Sequence, residues 1–272
     1  MFKFSTSFVK IFLLSLVLGA LPAPSALAQQ DNFSIRSEIL QETREIVVHL
    51  PENYDPDSKE GYAVIYMLDA DHEADEIAAR TAGEYHKANM TPQVIVIAIE
   101  NIRRGMDFLP HFISVDRDGN QVFGNGGKFL SFIKNELMPF VSKKFRTNGR
   151  RVFIGHSWAG QFMAYTLSQS PELFDAFFIT SPSIGEYGDQ TFNELKRVFK
   201  QDLDFPAFVY VSVGSKETPR LKADYDRLTT LLKQHLPEQV KFFVEINEGA
   251  DHENSGDISI PKALKIYFST TP

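Results

Sequence analysis

The sequence predicts an α/β fold, a mostly parallel central sheet with helices on both faces. Three observations carry this. Unbroken apolar runs recur at residues 63–68, 94–99, 152–154, 176–179, 208–213 and 242–246, as expected of strands covered on both sides. Helical periodicity fills the intervals between them. No internal repeat or low-complexity linker divides the chain, and 272 residues suffice for one large domain. Strands alternating with helices imply crossover units.

Taken in order, the first 28 residues stand apart from that domain. Lys3 and Lys10 precede or open an apolar run at 11–20, and Ala26-Leu27-Ala28 supplies a small-x-small site. This is the pattern of a signal peptide, with cleavage after Ala28 and a mature domain over 29–272. The apolar run is too short for a comfortable membrane span, which needs about 20 residues. The chain has no cysteine, so neither a lipoprotein anchor through that residue nor a disulfide is available. The expectation is an exported protein, periplasmic or secreted, with no membrane anchor in the mature chain. Losing Lys3 and Lys10 takes the formal charge from -7 to -9. That balance, without basic runs, argues against nucleic acid as a partner.

Residues 34–40 and 44–50 read as two paired strands, and the polar stretch 51–61 as a loop. The segment 101–127 has weak periodicity and several glycines, and reads as a functional loop above the strand ends. Phe129, Phe132, Ile133, Leu137, Phe140 and Val141 recur at helical spacing, as do Leu221, Tyr225, Leu228, Leu231 and Leu232.

The sharpest motif is Val152-Phe153-Ile154-Gly155-His156-Ser157-Trp158-Ala159-Gly160. An apolar strand runs through Gly into Ser and then into a helical pattern, the setting of a nucleophile elbow. Ser157 is therefore the candidate nucleophile, and the backbone N–H of Trp158 a candidate oxyanion donor at the helix start. The usual G-x-S-x-G pattern has Gly where Ala159 stands. A serine hydroxyl needs a base, and in this architecture the chain order is Ser, acid, His. Of seven histidines only His235 and His252 lie well beyond Ser157. His235 ends an amphipathic segment near Pro237. His252 lies on the loop after the last apolar run, where the base belongs. Glu217 follows the run 208–213 and is the candidate acid, with Asp224 and Asp226 as rivals. The second oxyanion donor is assigned to the backbone N–H of Asp71, with His72 as the alternative. Each residue also has a plain structural reading: a strand-to-helix turn for Ser157, a surface ion pair with Lys216 or Arg220 for Glu217, an ordinary turn for Asp71.

Several blocks resemble an esterase family that includes enterochelin (siderophore) esterases and esterase D-like enzymes. They are Tyr66-Met67-Leu68-Asp69-Ala70-Asp71, Asn101-Ile102-Arg103-Arg104 with Asp107 and Pro110, Gly126-Gly127 with Glu136-Leu137-Met138-Pro139, Gly155-His156-Ser157, Pro171-Glu172-Leu173-Phe174-Asp175 with Ser181-Pro182-Ser183, and 249–252. The family's first block usually has Gly at the position of Ala70. The resemblance implies an α/β-hydrolase fold, ester hydrolysis of a small-molecule substrate through Ser157 and His252, and an arginine that holds an anionic ligand. Arg103 or Arg104 can take that part. Arg104 is preferred, against a plain salt bridge to Glu100 or Asp107. The chemistry requires no metal or organic cofactor. Two other functions compete: acyl transfer or thioester hydrolysis on the same triad, and non-catalytic binding of an iron–siderophore.

Overall fold

The computed structural model describes residues 29–70, 74–115, 119–201 and 204–270. The proposed leader, residues 1–28, and the candidate donor Asp71 with its alternative His72 lie outside the described residues.

The chain opens with β1 (Gln29–Gln30) and β2 (Phe33–Ser37), which successively line one edge of β3 (Glu42–Leu50), both antiparallel. The expected first strand is shorter at its end than the sequence suggested. Glu38–Gln41 turns instead, with Gln41 at φ 59°. There Glu136 accepts the backbone N–H groups of Glu38 and Ile39, and Ser37 holds the N–H of Leu40. Then follow β4 (Tyr62–Leu68), α1 (Ala74–Lys87), β5 (Val94–Ile99) and the short α2 (Arg104–Phe108). A small hairpin, β6 (Phe112–Val115) with β7 (Gln121–Phe123), completes the segment read as a loop. Helix α3 (Gly126–Phe132) passes through a π-helical turn, Ile133–Leu137, into α4 (Met138–Lys144). The rest alternates: β8 (Thr147–His156), α5 (Trp158–Gln169), β9 (Ala176–Thr180), α6 (Gln190–Val198), β10 (Phe208–Gly214), α7 (Pro219–His235), β11 (Lys241–Asn247) and α8 (His252–Thr270).

The strands order as β1-β3-β5-β4-β8-β9-β10-β11, with β2 beside β1 on β3. From β5 to β11 every pairing is parallel. Side chains alternate across the sheet as period-two strands require. Tyr66, Phe153, Phe177 and Val211 pack on one face with Phe129, Phe162 and Leu228, and Ile65, Ile154, Phe178 and Tyr210 on the other with Ala78, Ile260 and Tyr267. The continuous apolar runs are thus explained by burial on both faces, and the expected mostly parallel sheet with helices on both faces is what forms.

This topology determines where chemistry can sit. The chain steps from β4 out to β5, then returns to place β8 on the other side of β4. That reversal opens a crevice beyond the C-terminal ends of β4 and β8. Asp69 follows β4 and Ser157 follows β8. Among the described residues no helix is long and apolar enough to cross a membrane.

Candidate active site

Ser157 occupies the single-residue turn between β8 and α5, at φ 61° and ψ −118°. Such a conformation is costly for a residue with a Cβ and must be imposed by surrounding contacts. Here those contacts are visible. Ser157 N–H donates to the Thr180 carbonyl at 3.0 Å, and the Ser157 carbonyl accepts from Gln161 N–H at 2.9 Å and Ser183 N–H at 3.2 Å. Gly155 lies so close to α5 that a Cβ would stand 2.8 Å from the Ala159 backbone. A Cβ on Gly160 would meet the Thr180 carbonyl oxygen at 3.0 Å. The departure from the usual motif is therefore harmless: Ala159 is fully buried and accommodated, and the crowding falls on Gly155 and Gly160.

The three widely spaced candidates come together. His252 Nε2 is 2.9 Å from Ser157 Oγ, and His252 Nδ1 is 3.0 Å from Glu217 Oε2. Histidine is the first residue of α8, so the expected loop position gives way to a helix N-terminus. Glu217 has a fully buried side chain, whereas that of His252 is about one-third exposed, at 32%. The other carboxylate oxygen, Oε1, accepts the backbone N–H of Gly214 at 3.0 Å and the hydroxyl of Ser181. Burial pushes the Glu217 carboxyl up, but hydrogen bonds from His252, Ser181 and Gly214 outweigh it and leave it below its ordinary value. The rival Asp224 is engaged elsewhere, accepting from Gly185 N–H.

The His156 ring lies tilted beside that of His252, centroids 4.6 Å apart and planes at 41°. Burial first, and the neighbouring His252 second, lower its pKa to about 4. Among the described residues its Nε2 is buried with no hydrogen-bond partner.

Arg104 reaches the same crevice from α2. Its Nε and Nη2 donate to the two oxygens of Asp69 at 2.7 and 2.9 Å, and Asn101 donates to Asp69 Oδ1 at 2.6 Å. The plain salt bridge expected to Glu100 or Asp107 is instead made to Asp69, a residue not singled out as a partner. Asp107 pairs with Arg44, and Arg103 with Glu42. The Arg104 guanidinium lies 5.5 Å from the ring centroids of both Phe108 and Trp158. Trp158, the first residue of α5, donates its indole N–H to Glu186 at 2.8 Å. A cavity of about 360 Å³ is lined by Asp69, Arg104, Ser157 and His252, with Ile154 and Ile260 among its apolar walls. A cavity of similar size, about 370 Å³, lies at the opposite strand ends beside Val94 and His49, and among the described residues no Ser, Thr or Cys lines it. Among the described residues no cluster of His, Cys, Asp and Glu could hold a metal ion.

Sheet order, elbow and crevice define the α/β-hydrolase class of fold. Residues 37–259 match the family described as Putative esterase, and the chain belongs to that family. It is 32% identical over 162 residues to the ferri-bacillibactin esterase BesA of Bacillus subtilis, covering 53% of this chain and 55% of that protein. A siderophore triacetylfusarinine C esterase of Aspergillus fumigatus is 34% identical over 64 residues, 23% of this chain and 22% of the other. The chain thus spans about half or less of the curated relatives it matches. Among solved structures, an IroE-like serine hydrolase from Shewanella oneidensis superposes with a TM-score of 0.79 at 25% identity, covering 88% of this chain and 80% of that one. The siderophore hydrolase EstA from Aspergillus nidulans shares the fold, with a TM-score of 0.76 at 21% identity, covering 97% of this chain and all of the other.

Proposed function

We propose that the protein is a serine hydrolase that cleaves carboxylic esters through Ser157, His252 and Glu217. The observation that carries the reading is the unbroken hydrogen-bonded line from Glu217 through His252 to Ser157, ending at a backbone-strained serine. His252 Nε2 takes the hydroxyl proton as Ser157 Oγ adds to the ester carbonyl. Glu217, ionised, holds the ring by Nδ1 and balances the imidazolium charge. The carbonyl oxygen, now negative, is held by the Trp158 backbone N–H at the start of α5 and, by chain position, that of Asp71. Collapse breaks the bond to the alcohol, which leaves with the proton from His252. Water then adds to the acyl-enzyme by the same route, releasing the acid and restoring Ser157. No metal or organic cofactor enters these steps.

The family and the named activities of BesA and the triacetylfusarinine C esterase favour siderophore-type esters, with short-chain esters as simpler substrates. Arg104, at the cavity rim, is assigned to the polar or anionic part of the substrate. The leader pattern in residues 1–28 supports export. N-terminal sequencing of the exported protein should begin at Gln29.

The test is an ester panel, short p-nitrophenyl acyl esters together with iron-bound and iron-free catecholate trilactones. Ser157→Ala should lower kcat by at least about 10⁴-fold and abolish labelling by a fluorophosphonate. An added alcohol that captures the acyl group in preference to water would reassign the enzyme to acyl transfer. Wild-type protein that neither labels nor differs from Ser157→Ala would leave a binding function.

A further inference from the structure

The block Ser181-Pro182-Ser183 has no part in the chemistry above, yet Ser181 is at its centre. It is wholly buried, and at φ 46° it is one of five non-glycine residues in the left-handed region among the described residues. The turn begins where β9 ends, and Ser181 N–H donates to the Ser212 carbonyl of β10 at 2.8 Å. A glycine would adopt this backbone at no steric cost, so the side chain needs a reason to be there.

Its contacts supply one. Ser181 Oγ donates to Glu217 Oε1, the carboxylate oxygen turned away from His252, and lies 2.8 Å from Ser255 Oγ. Ser255 is itself fully buried and stands in the first turn of α8, three residues after His252. One hydroxyl therefore joins the loop that carries the acid to the helix that carries the base. Among the described residues the Glu217 carboxylate meets only Gly214 N–H and Ser181 on Oε1 and His252 on Oε2. Without Ser181 the orientation of Oε2 would rest on the Gly214 N–H and on His252 itself; the hydroxyl adds a donor on Oε1 that is independent of the base and leaves Oε2 facing Nδ1.

We propose that Ser181 is a positioning residue: its hydroxyl, braced by Ser255, orients Glu217 toward His252. The assignment rests on the Ser157–His252–Glu217 reading. The titratable groups facing Glu217 are His252 from α8 and, through space, His156 from β8.

The test compares Ser181→Gly with Ser181→Ala in the full chain, using p-nitrophenyl acetate. Both delete the hydroxyl. Only alanine retains the backbone strain, so glycine separates loss of the contact from loss of fold. Both variants should lose about tenfold or more in kcat, the scale of a hydrogen bond to a charged group, with KM within about twofold. A fall in kcat with KM unmoved separates a mispositioned base from a damaged substrate site. Ser255→Ala should show the same pattern with a smaller loss. Wild-type kcat in Ser181→Gly would overturn the assignment. Absence of Ser157-dependent hydrolysis in the wild type would instead overturn the reading beneath it.

Discussion

At the scale of single residues, His156 shows how a motif position acquires a physical cost. It is the variable residue of the elbow, and burial beside His252 lowers its pKa to about 4. Its folded value thus lies below the unfolded value of about 6.5. Between those two values the unfolded chain binds a proton that the folded protein refuses, so stability falls as pH drops through this window. The loss reaches up to about 3 kcal/mol at the acid end. Urea unfolding of wild type and His156→Asn at pH 7.5 and pH 4.5 should show the extra acid sensitivity in wild type only. Glu217 acts with the same sign, in a more acidic window. Its folded value is depressed, so its contribution is present above the ordinary carboxylate range and is lost only as pH falls through the lower folded value.

At the scale of elements, α2 depends on a buried ion pair. Arg44 on β3 donates to Asp107 at 2.7 Å, and both side chains are 1% exposed. Arg44 also lies 5.2 Å from the Phe129 ring centroid on α3. The pair therefore ties the helix that bears Arg104 to the sheet edge. Arg44→Met would strand the Asp107 carboxylate and should cost about 3–5 kcal/mol. Replacing both as Arg44→Met with Asp107→Leu should recover most of it, read from urea midpoints. None of this was legible in the sequence, because 63 residues separate the partners. Ser157, Glu217 and His252 were legible for the opposite reason. Parallel crossovers return every strand end to one side, so order along the chain already encodes position. Helix α8 escaped notice because its first turns, His252-Glu253-Asn254-Ser255-Gly256, are poor helix formers. Buried hydroxyls compensate there: Ser259 donates to the Ser255 carbonyl and lies 2.7 Å from Ser212 Oγ. The Asp69–Arg104 contact was also hidden, since a local charge count offered Glu100 and Asp107 as nearer partners.

At the scale of the whole molecule, the sheet ends asymmetrically. On one side β1 and β2 run antiparallel along β3, while β11 ends the other as a parallel strand with Val244 and Ile246 more than half exposed, at 51% and 56%. An edge of that kind invites pairing with other chains. Val244→Lys, remote from Ser157, should delay aggregation on heating, followed by light scattering, without changing kcat. The strained turn at Ser157 bears on the molecule's history as well. Glycine would rest easily at φ 61° and would carry no hydroxyl. Abandoning the proposed nucleophile is thus the downhill direction for stability, and keeping it is uphill. A lineage released from selection for cleavage would drift toward a sturdier, silent descendant with the cavity intact, able to hold a ligand and unable to cut it.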